Sequence, residues 1–486
     1  MRRLATLALC IVSASLWAQY PGSKIVPTEF AKGFSSITID DAKKWLGYLA
    51  GPETEGRGTG QDGYLKAAAY MAERFKEFGL KPIGDGGTYF QNVPFGTVTI
   101  KEAVLGLNGT TLSFGPQLQI TSASSDTTLN GRLVFLAAKG EAKFPEKDFK
   151  GKIVIAKLEG VSRDFRRALT QSGALVFNVT DLLGEARAIN LRGSTVTPGG
   201  RIHPDGAAAL AKAANLGFPE AGANEAKTAE TSSDATLSIK VDSQRKDMPN
   251  VIGLLEGSDP ILKGEYIGIG AHLDHLGKRG EVIYYGADDD GSGSTALIAV
   301  AKAMQSGELK PKRSILFMAF TGEEMGLVGS GYLANNPPVP LDKMICELQM
   351  DMVGRDSDGV QNGDRNRVDK KEENVDTMRL VGSKRISTEL HDLILDTNQF
   401  VNFKFKYDAE DVYTRSDHYN FAVKGIPIAF LFDGFHPDYH QPTDTIEKIN
   451  FDKLTNSAKL YYLVALRAAN RDVAFKKDVP PSGGGQ

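Results

Sequence analysis

Cysteine is nearly absent from this chain of 486 residues, which contains Cys10 and Cys346 alone. Because Cys10 lies in an N-terminal segment that we expect to be removed, no intrachain disulfide is expected, and a fold of this size can rely on its hydrophobic cores instead. Cys346 lies in the apolar run KMICELQMDMV. A buried strand residue is expected there rather than a nucleophile.

The chain also lacks a surplus of positive charge and a long hydrophobic segment. Its formal net charge is -3 and no long Lys/Arg block occurs, which excludes nucleic acid as an expected partner. Beyond residue 18, nothing approaches the roughly 18 uninterrupted apolar residues of a membrane-spanning helix. We therefore expect no stable membrane span once the N-terminal segment is cleaved.

The two ends of the chain have distinctive compositions. Arg2 and Arg3 precede an apolar run that ends in small residues, the pattern of a secretory signal. We expect residues 1–18 to be cleaved and the protein to be exported, either to a periplasm or out of the cell. The tail 473–486 ends in VPPSGGGQ and is expected to be disordered. The oligomeric state stays open.

The rest of the chain contains two kinds of sequence pattern. Residues 36–96 are rich in helical periodicity, and residues 248–472 alternate apolar strands with helices. Residues 97–247 instead contain short apolar runs, such as RLVFLAA and KIVIAKL, between Gly, Asp, Ser and Thr. We expect an α/β main domain, discontinuous in sequence, with a mostly parallel central sheet flanked by helices and a smaller β-rich domain inserted in it.

Acidic and imidazole side chains follow the predicted strands of the main domain. The runs EYIGIGA, RSILFMAFT, KMICELQM and IPIAFLF each lead into such residues, and GADDDGSGS precedes a helix. Because ligands bind outside the carboxyl ends of parallel strands, we expect these side chains to converge. The candidates are His272, Asp274, His275, Asp289, Glu323, Glu324, Asp351, His436 and His440.

Each of these motifs is weak when it stands alone. An HxD pair is often a capped strand end, a Glu-Glu pair is usually a solvated helix start, and an acidic Gly-rich run is often a turn. Together they would gather several acids at one edge of the sheet, which is costly unless cations neutralise them. Imidazole and carboxylate ligands without thiolate are typical of a catalytic zinc site.

The motifs GAHLDHLG, GADDDGSGS, TGEEMGLVGS, QMDMVG and YHQPTDT resemble those of the co-catalytic two-zinc aminopeptidase family. EGRGTG is similar to the N-terminal portion of that family, and KDFKGKIVIAKLEG with SGALVFNVTD resembles a protease-associated domain. The resemblance implies peptide substrates and two zinc ions per chain. His272 and Asp351 would hold one ion, Glu324 and His440 the other, and Asp289 would bridge them.

The same resemblance implies a mechanism. A hydroxide shared between the ions would release N-terminal residues, with Glu323 as general base and Tyr439 donating to the oxyanion. Asp274 would orient a ligand histidine. A cis peptide bond is expected between Asp289 and Asp290. His275 is expected to line the cleft, and a role as an alternate or supporting group beside the ligands stays open.

Other functions stay open at this point. A carboxypeptidase or a glutaminyl cyclase-like enzyme could use the same scaffold, and so could a binding ectodomain without activity. A phosphate-binding role for GADDDGSGS is excluded, because three adjacent Asp residues would repel phosphate and no Lys follows the glycines.

Overall fold

The computed structural model describes residues 20–181, 183, 189–192, 197–360 and 369–478. The chain divides into two compact units, one formed by Met1–Val93 with Met248–Gln486 and the other by Pro94–Asp247. The second unit begins three residues before the boundary predicted at residue 97. The predicted signal, residues 1–18, lies outside the described residues. Within those residues, no helix is long and apolar enough to cross a bilayer.

The first unit begins with three helices and two short strands. These are α1 (Thr28–Ser35), α2 (Ile39–Leu49), α3 (Asp62–Glu77), β1 (Lys81–Pro82) and β2 (Phe90–Val93). The hydroxyl of Thr38 accepts the N–H of Asp41 and so caps α2. Leu46 of α2 and Phe75 of α3 are fully buried, so each helix turns an apolar face inward.

The inserted unit, Pro94–Asp247, contains nine strands and two helices in its described residues. They are β3 (Phe95–Leu107), β4 (Thr110–Ser113), β5 (Leu118–Ser122), β6 (Thr127–Lys139), β7 (Ile153–Glu159), α4 (Arg163–Gln171), β8 (Leu175–Val179), β9 (Ile189–Arg192), β10 (Gly199–Ile202), α5 (Pro204–Ala213) and β11 (Ala226–Arg245). The strands form one sheet in the order β4-β3-β11-β6-β7-β8-β10-β5, with β9 beside β3. Phe135 and Phe177 lie in a core formed by this unit alone.

The first unit then continues to the end of the described chain. Its remaining elements are β12 (Met248–Leu255), β13 (Tyr266–His272), β14 (Gly277–Arg279), β15 (Val282–Tyr284), α6 (Gly291–Ser306), β16 (Ser314–Phe320), α7 (Val328–Asn335), β17 (Met344–Met350), α8 (Lys371–Asn374), β18 (Thr377–Val381), α9 (Ser383–Ile386), α10 (Thr388–Asn398), β19 (Lys404–Lys406), α11 (His418–Ala422), β20 (Ile428–Phe432) and α12 (Phe451–Ala469).

The central sheet of this unit has the order β1-β12-β16-β13-β17-β20-β18-β19, with β2 beside β12. The four middle strands, β16, β13, β17 and β20, are mutually parallel. Strands β12 and β18 pair antiparallel with their inner neighbours. The predicted α/β fold is confirmed, but the sheet is mixed, and its parallel part is the centre that positions the site.

Helices cover both faces of this sheet. Alternate strand residues point to opposite faces, and Phe317 of β16 packs against Phe75 of α3 whereas Phe320 packs against Phe421 of α11. Strands β13, β16 and β17 are therefore buried along almost their whole length. Burial on both faces explains why these strands are continuous apolar runs in the sequence.

The predicted disordered tail is ordered in its first part. Phe475 is buried, and Asp478 accepts the backbone N–H of Thr388 at the start of α10. Disorder from residue 473 is therefore wrong for residues 473–478, because one aromatic ring and one capping carboxylate fix this segment. Residues 479–486 lie outside the described residues.

Because each unit buries its own core, we predict two calorimetric unfolding transitions. Phe177→Ala in the inserted unit should lower one transition temperature, and Phe317→Ala in the first unit should lower the other. Each substitution should cost about 3–5 kcal/mol for the lost contacts and the cavity. A single transition, or a shift of both transitions by either variant, would show that the units do not unfold independently.

Candidate metal centre

The carboxyl ends of the middle strands bring the predicted side chains to one edge of the sheet. His272 is the last residue of β13, and Asp351 directly follows β17. Glu323 and Glu324 follow β16 after a turn of two residues, and His440 lies in the loop after β20. Parallel pairing of these strands therefore places residues from distant parts of the chain side by side.

One group of contacts surrounds His272, which is buried. Its Nε2 lies 3.2 Å from Asp289 Oδ1 and 3.5 Å from Asp351 Oδ1. The other carboxylate oxygen of Asp351, Oδ2, accepts a hydrogen bond from the hydroxyl of Ser416 at 2.7 Å. Asp351 thus directs one oxygen at His272 while a hydroxyl holds the other.

A second group of contacts surrounds His440. Its Nε2 lies 3.1 Å from Asp289 Oδ2 and 3.0 Å from Glu324 Oε2. Asp289 therefore faces His272 with one oxygen and His440 with the other, which is the placement that a bridging carboxylate requires. Burial favours the neutral acid, but the adjacent imidazoles of His272 and His440 outweigh it and lower the pKa of Asp289 well below its usual range.

The atoms of the second group fit metal ligands better than hydrogen-bond partners. Asp289 Oδ2, Glu324 Oε1 and His440 Nε2 are buried and make no hydrogen bond of acceptable geometry within the described chain. Buried polar atoms without partners are rare, and a bound ion would satisfy them. Four ligands about 2.0 Å from one ion stand about 3.3 Å apart in a tetrahedron, close to the distances seen here.

Asp290, next in sequence to Asp289, is close enough to join a ligand group with His272 and Asp351. Both of its carboxylate oxygens, however, already accept hydrogen bonds from the backbone. Oδ1 accepts the N–H groups of Gly293 and Met352, and Oδ2 accepts the N–H of His272. We therefore assign Asp290 a structural role as the cap of α6. The peptide bond that joins it to Asp289 is cis, as predicted.

Asp274 orients His272 through an atom that the sequence did not suggest. The Nδ1 of His272 lies 3.0 Å from the main-chain oxygen of Asp274 and 3.8 Å from its carboxylate. A proton on Nδ1 donated to this carbonyl leaves the Nε2 lone pair free to bind a cation. The Asp274 carboxylate instead accepts the N–H of Glu323 and the hydroxyl of Thr59, so it positions the turn that carries Glu323.

Glu323 and Tyr439 line one pocket beside these groups, together with Asp289, Asp351 and several apolar side chains. Burial raises the pKa of Glu323 well above its usual range, and the nearby carboxylates of Asp351 and Glu324 raise it further. The ring of Tyr439 stacks on His440 at a centroid distance of 3.8 Å. Burial and Asp289 raise the pKa of Tyr439, which keeps the phenol available as a hydrogen-bond donor.

Three further histidines near these segments differ in their contacts. His418 is buried, its Nε2 lies 2.7 Å from the oxygen of Tyr413, and its ring stacks on Phe430. His436 Nε2 lies 3.2 Å from Asp288 Oδ2. His275 was expected to line the cleft, with a place beside the ligands as the alternative, and its Nδ1 lies 2.9 Å from Glu324 Oε1.

Arg57, a residue whose role the sequence did not reveal, connects the loops of the site. Its guanidinium is fully buried and donates to the main-chain oxygens of Leu49, Leu273, Tyr285, Gly286 and Asp289. The motif EGRGTG marks the residue, but its acceptors lie up to 232 positions away. Arg57 thereby holds the segment after β13 and the segment before α6 in one arrangement.

Gathered imidazoles and carboxylates at the carboxyl edge of an α/β sheet are typical of metal-dependent hydrolases. Residues 250–465 match the sequence model of Peptidase family M28.

Parts of the chain are also similar in sequence to named proteins. Over 223 residues the chain is 28% identical to "Probable leucine aminopeptidase" of Trichophyton verrucosum, covering 44% of this chain and 55% of that protein. Over 111 residues it is 33% identical to "Leupeptin-inactivating enzyme 1" of Streptomyces exfoliatus, covering 23% of this chain and 24% of that protein. The chain thus spans about half the length of the first of these relatives.

Solved structures are also similar. An aminopeptidase from Aneurinibacillus sp. strain AM-1 superposes with a TM-score of 0.48 at 22% identity, covering 92% of this chain and 96% of that chain. A zinc aminopeptidase from Bacillus subtilis gives a TM-score of 0.45 at 18% identity, covering 94% and 97% of the two chains.

We predict that Arg57→Lys destabilises the protein by about 3 kcal/mol or more, because a lysine cannot satisfy five buried carbonyls that a guanidinium holds. Urea unfolding of the purified variant measures the loss. The matched control is Arg385→Lys, whose guanidinium donates to Glu410 at the surface and should contribute no more than about 1 kcal/mol. Equal effects of the two substitutions would contradict the role given to Arg57.

Proposed function

We propose that this protein is an exported exopeptidase that uses two zinc ions to remove N-terminal residues from peptides. The observation that carries the proposal is the position of Asp289, whose two oxygens face His272 and His440 while Glu323 lies in the same pocket. His272 and Asp351 would hold one ion, Glu324 and His440 the other, and Asp289 both. When bound, such ions acidify water and polarise a carbonyl group.

Glu323 is the group placed to move the proton. Its Oε2 lies 4.0 Å from His272 Nε2, and its backbone is held by the Asp274 carboxylate. We propose that Glu323 takes a proton from the attacking water and returns it to the leaving amine. A raised pKa suits both steps, because the carboxylate must gain the proton as readily as it gives it up.

The pocket also fits a free N-terminal residue. Of the three carboxylates that line it, Glu323 lies outside both proposed ligand sets and would attract an ammonium group. Apolar side chains line the rest of it and would contact an apolar side chain of the substrate: Met352, Val412, Phe430, Phe432 and Phe435. Tyr439 is placed to donate a hydrogen bond to the oxygen of the scissile carbonyl.

Arg415 supports the alternative of a carboxypeptidase. It lines the same pocket, where its guanidinium lies over the ring of Phe435 at 4.6 Å. Among the described residues that line this pocket it is the one cation, whereas a carboxypeptidase would be expected to offer a cluster of cationic groups to the terminal carboxylate. The lining of the pocket therefore favours the aminopeptidase.

The proposal also includes export of the protein and the type of domain that the inserted unit forms. The N-terminal pattern of residues 1–18 supports export. The β-rich sheet of the inserted unit, with its own core, supports a protease-associated-like domain over residues 97–247.

Three matched peptides test the activity: one with both termini free, one N-acetylated and one with an amidated C-terminus. We expect cleavage of the first and third, none of the second, and loss of all cleavage with a chelator. Cleavage that survives N-acetylation would overturn the aminopeptidase proposal, and loss on amidation would favour the carboxypeptidase. Cyclisation of an N-terminal glutamine without hydrolysis would favour the cyclase.

We predict that Glu323→Gln lowers kcat by about 10²- to 10⁴-fold, because the amide cannot accept the proton. The zinc content of the purified variant should stay unchanged, since Glu323 lies outside both ligand sets. Glu324→Gln is the matched comparison, because it should lose zinc as well as activity. Unchanged turnover in Glu323→Gln would remove this residue as the base.

A further inference from the structure

His275 is a buried imidazole next to the second group of ligands, and the proposed function gives it no role. It follows Asp274 at the end of β13, is 2% exposed, and donates its backbone N–H to the oxygen of Arg57 at 3.1 Å. Gly286 lies against its ring, where a Cβ would come within 2.5 Å of ring carbons. The ring is therefore held in one position by closely packed backbone.

The contacts of His275 are those of a metal ligand rather than of a hydrogen-bonded side chain. Its Nδ1 lies 2.9 Å from Glu324 Oε1 and 3.7 Å from Asp289 Oδ2. Neither Nδ1 nor Oε1 has a hydrogen bond of acceptable geometry to any of the described residues, although the two atoms are close. Ligands of one tetrahedral ion are expected about 3.3 Å apart without pointing at each other.

We propose that His275 Nδ1 binds the second ion together with Asp289, Glu324 and His440. The rings of His275 and His440 meet edge to face, with centroids 5.8 Å apart, so both can direct a nitrogen at the carboxylates between them. This inference rests on the proposed function in needing an ion at that position. It adds a sixth metal-binding side chain to the five given by the sequence motifs.

With the sixth ligand, the two ions would differ in their number of protein ligands. The second ion has four protein ligands, the number that closes a tetrahedral zinc site. The first has three, which are His272, Asp289 and Asp351, and three ligands leave a position open for water or substrate. The second position should therefore fill first and release its ion last.

Metal titration of the metal-free full chain tests this order. Calorimetry with Zn²⁺ should show two steps in the natural protein. His275→Gln should weaken the tighter step by more than the roughly 10- to 100-fold that a residue behind a ligand contributes, and the looser step should change less. His203→Gln is the matched control, because His203 only caps α5 in the inserted unit.

X-ray absorption of the natural protein loaded with one equivalent of Zn²⁺ needs no variant. We expect two imidazoles on the bound ion, from His275 and His440, and one imidazole in His275→Gln. One imidazole in the natural protein, or unchanged steps in the variant, would overturn the inference while leaving the proposed function intact. A natural protein that binds no zinc would instead overturn the proposed function.

Discussion

The organisation of the first unit depends on one electrostatic constraint, the burial of several carboxylates at a single edge of a sheet. Asp289, Glu323, Glu324 and Asp351 have little contact with solvent, and burying a charge without compensation costs several kcal/mol. The protein must neutralise these groups, or the site would not persist in this arrangement. Bound cations would meet that requirement and, under the proposed function, would also supply the chemistry of the reaction, so the stability of the site and its function would have the same origin.

The chain itself compensates for only part of this charge. Backbone N–H groups satisfy the carboxylates of Asp290, and Asp444 accepts the N–H groups of Asp288 and Asp289. The buried guanidinium of Arg57 supplies a fixed positive charge behind the loops and takes up their carbonyl oxygens. Within the described part of the chain, no such donor satisfies Asp289 Oδ2 or Glu324 Oε1. The acids that hold the backbone are thus satisfied by protein, whereas these two oxygens are available to the metal of the proposed function.

The sequence could predict which residues gather at the site, but not which groups hold those residues in place. His272 and Asp351 were predictable because each comes at the end of a continuous apolar run, and parallel strands bring such ends together. The antiparallel directions of β12 and β18 could not be predicted, because an apolar run has the same composition whichever way its strand runs. Arg57 was missed because its acceptors are main-chain oxygens, which leave no pattern of residue types. The use of the Asp274 carbonyl in place of its carboxylate depends on the shape of a tight turn, which residue identity does not specify.

The central claim is that Asp289 joins two metal positions, and a crystal structure of the zinc-loaded protein tests it most directly. Anomalous difference maps recorded on either side of the zinc absorption edge locate zinc independently of the protein atoms. The account predicts two peaks about 3.5–4 Å apart, one beside each oxygen of Asp289, with His272 at one peak and His440 at the other. A single peak, or two peaks that Asp289 does not bridge, would contradict it.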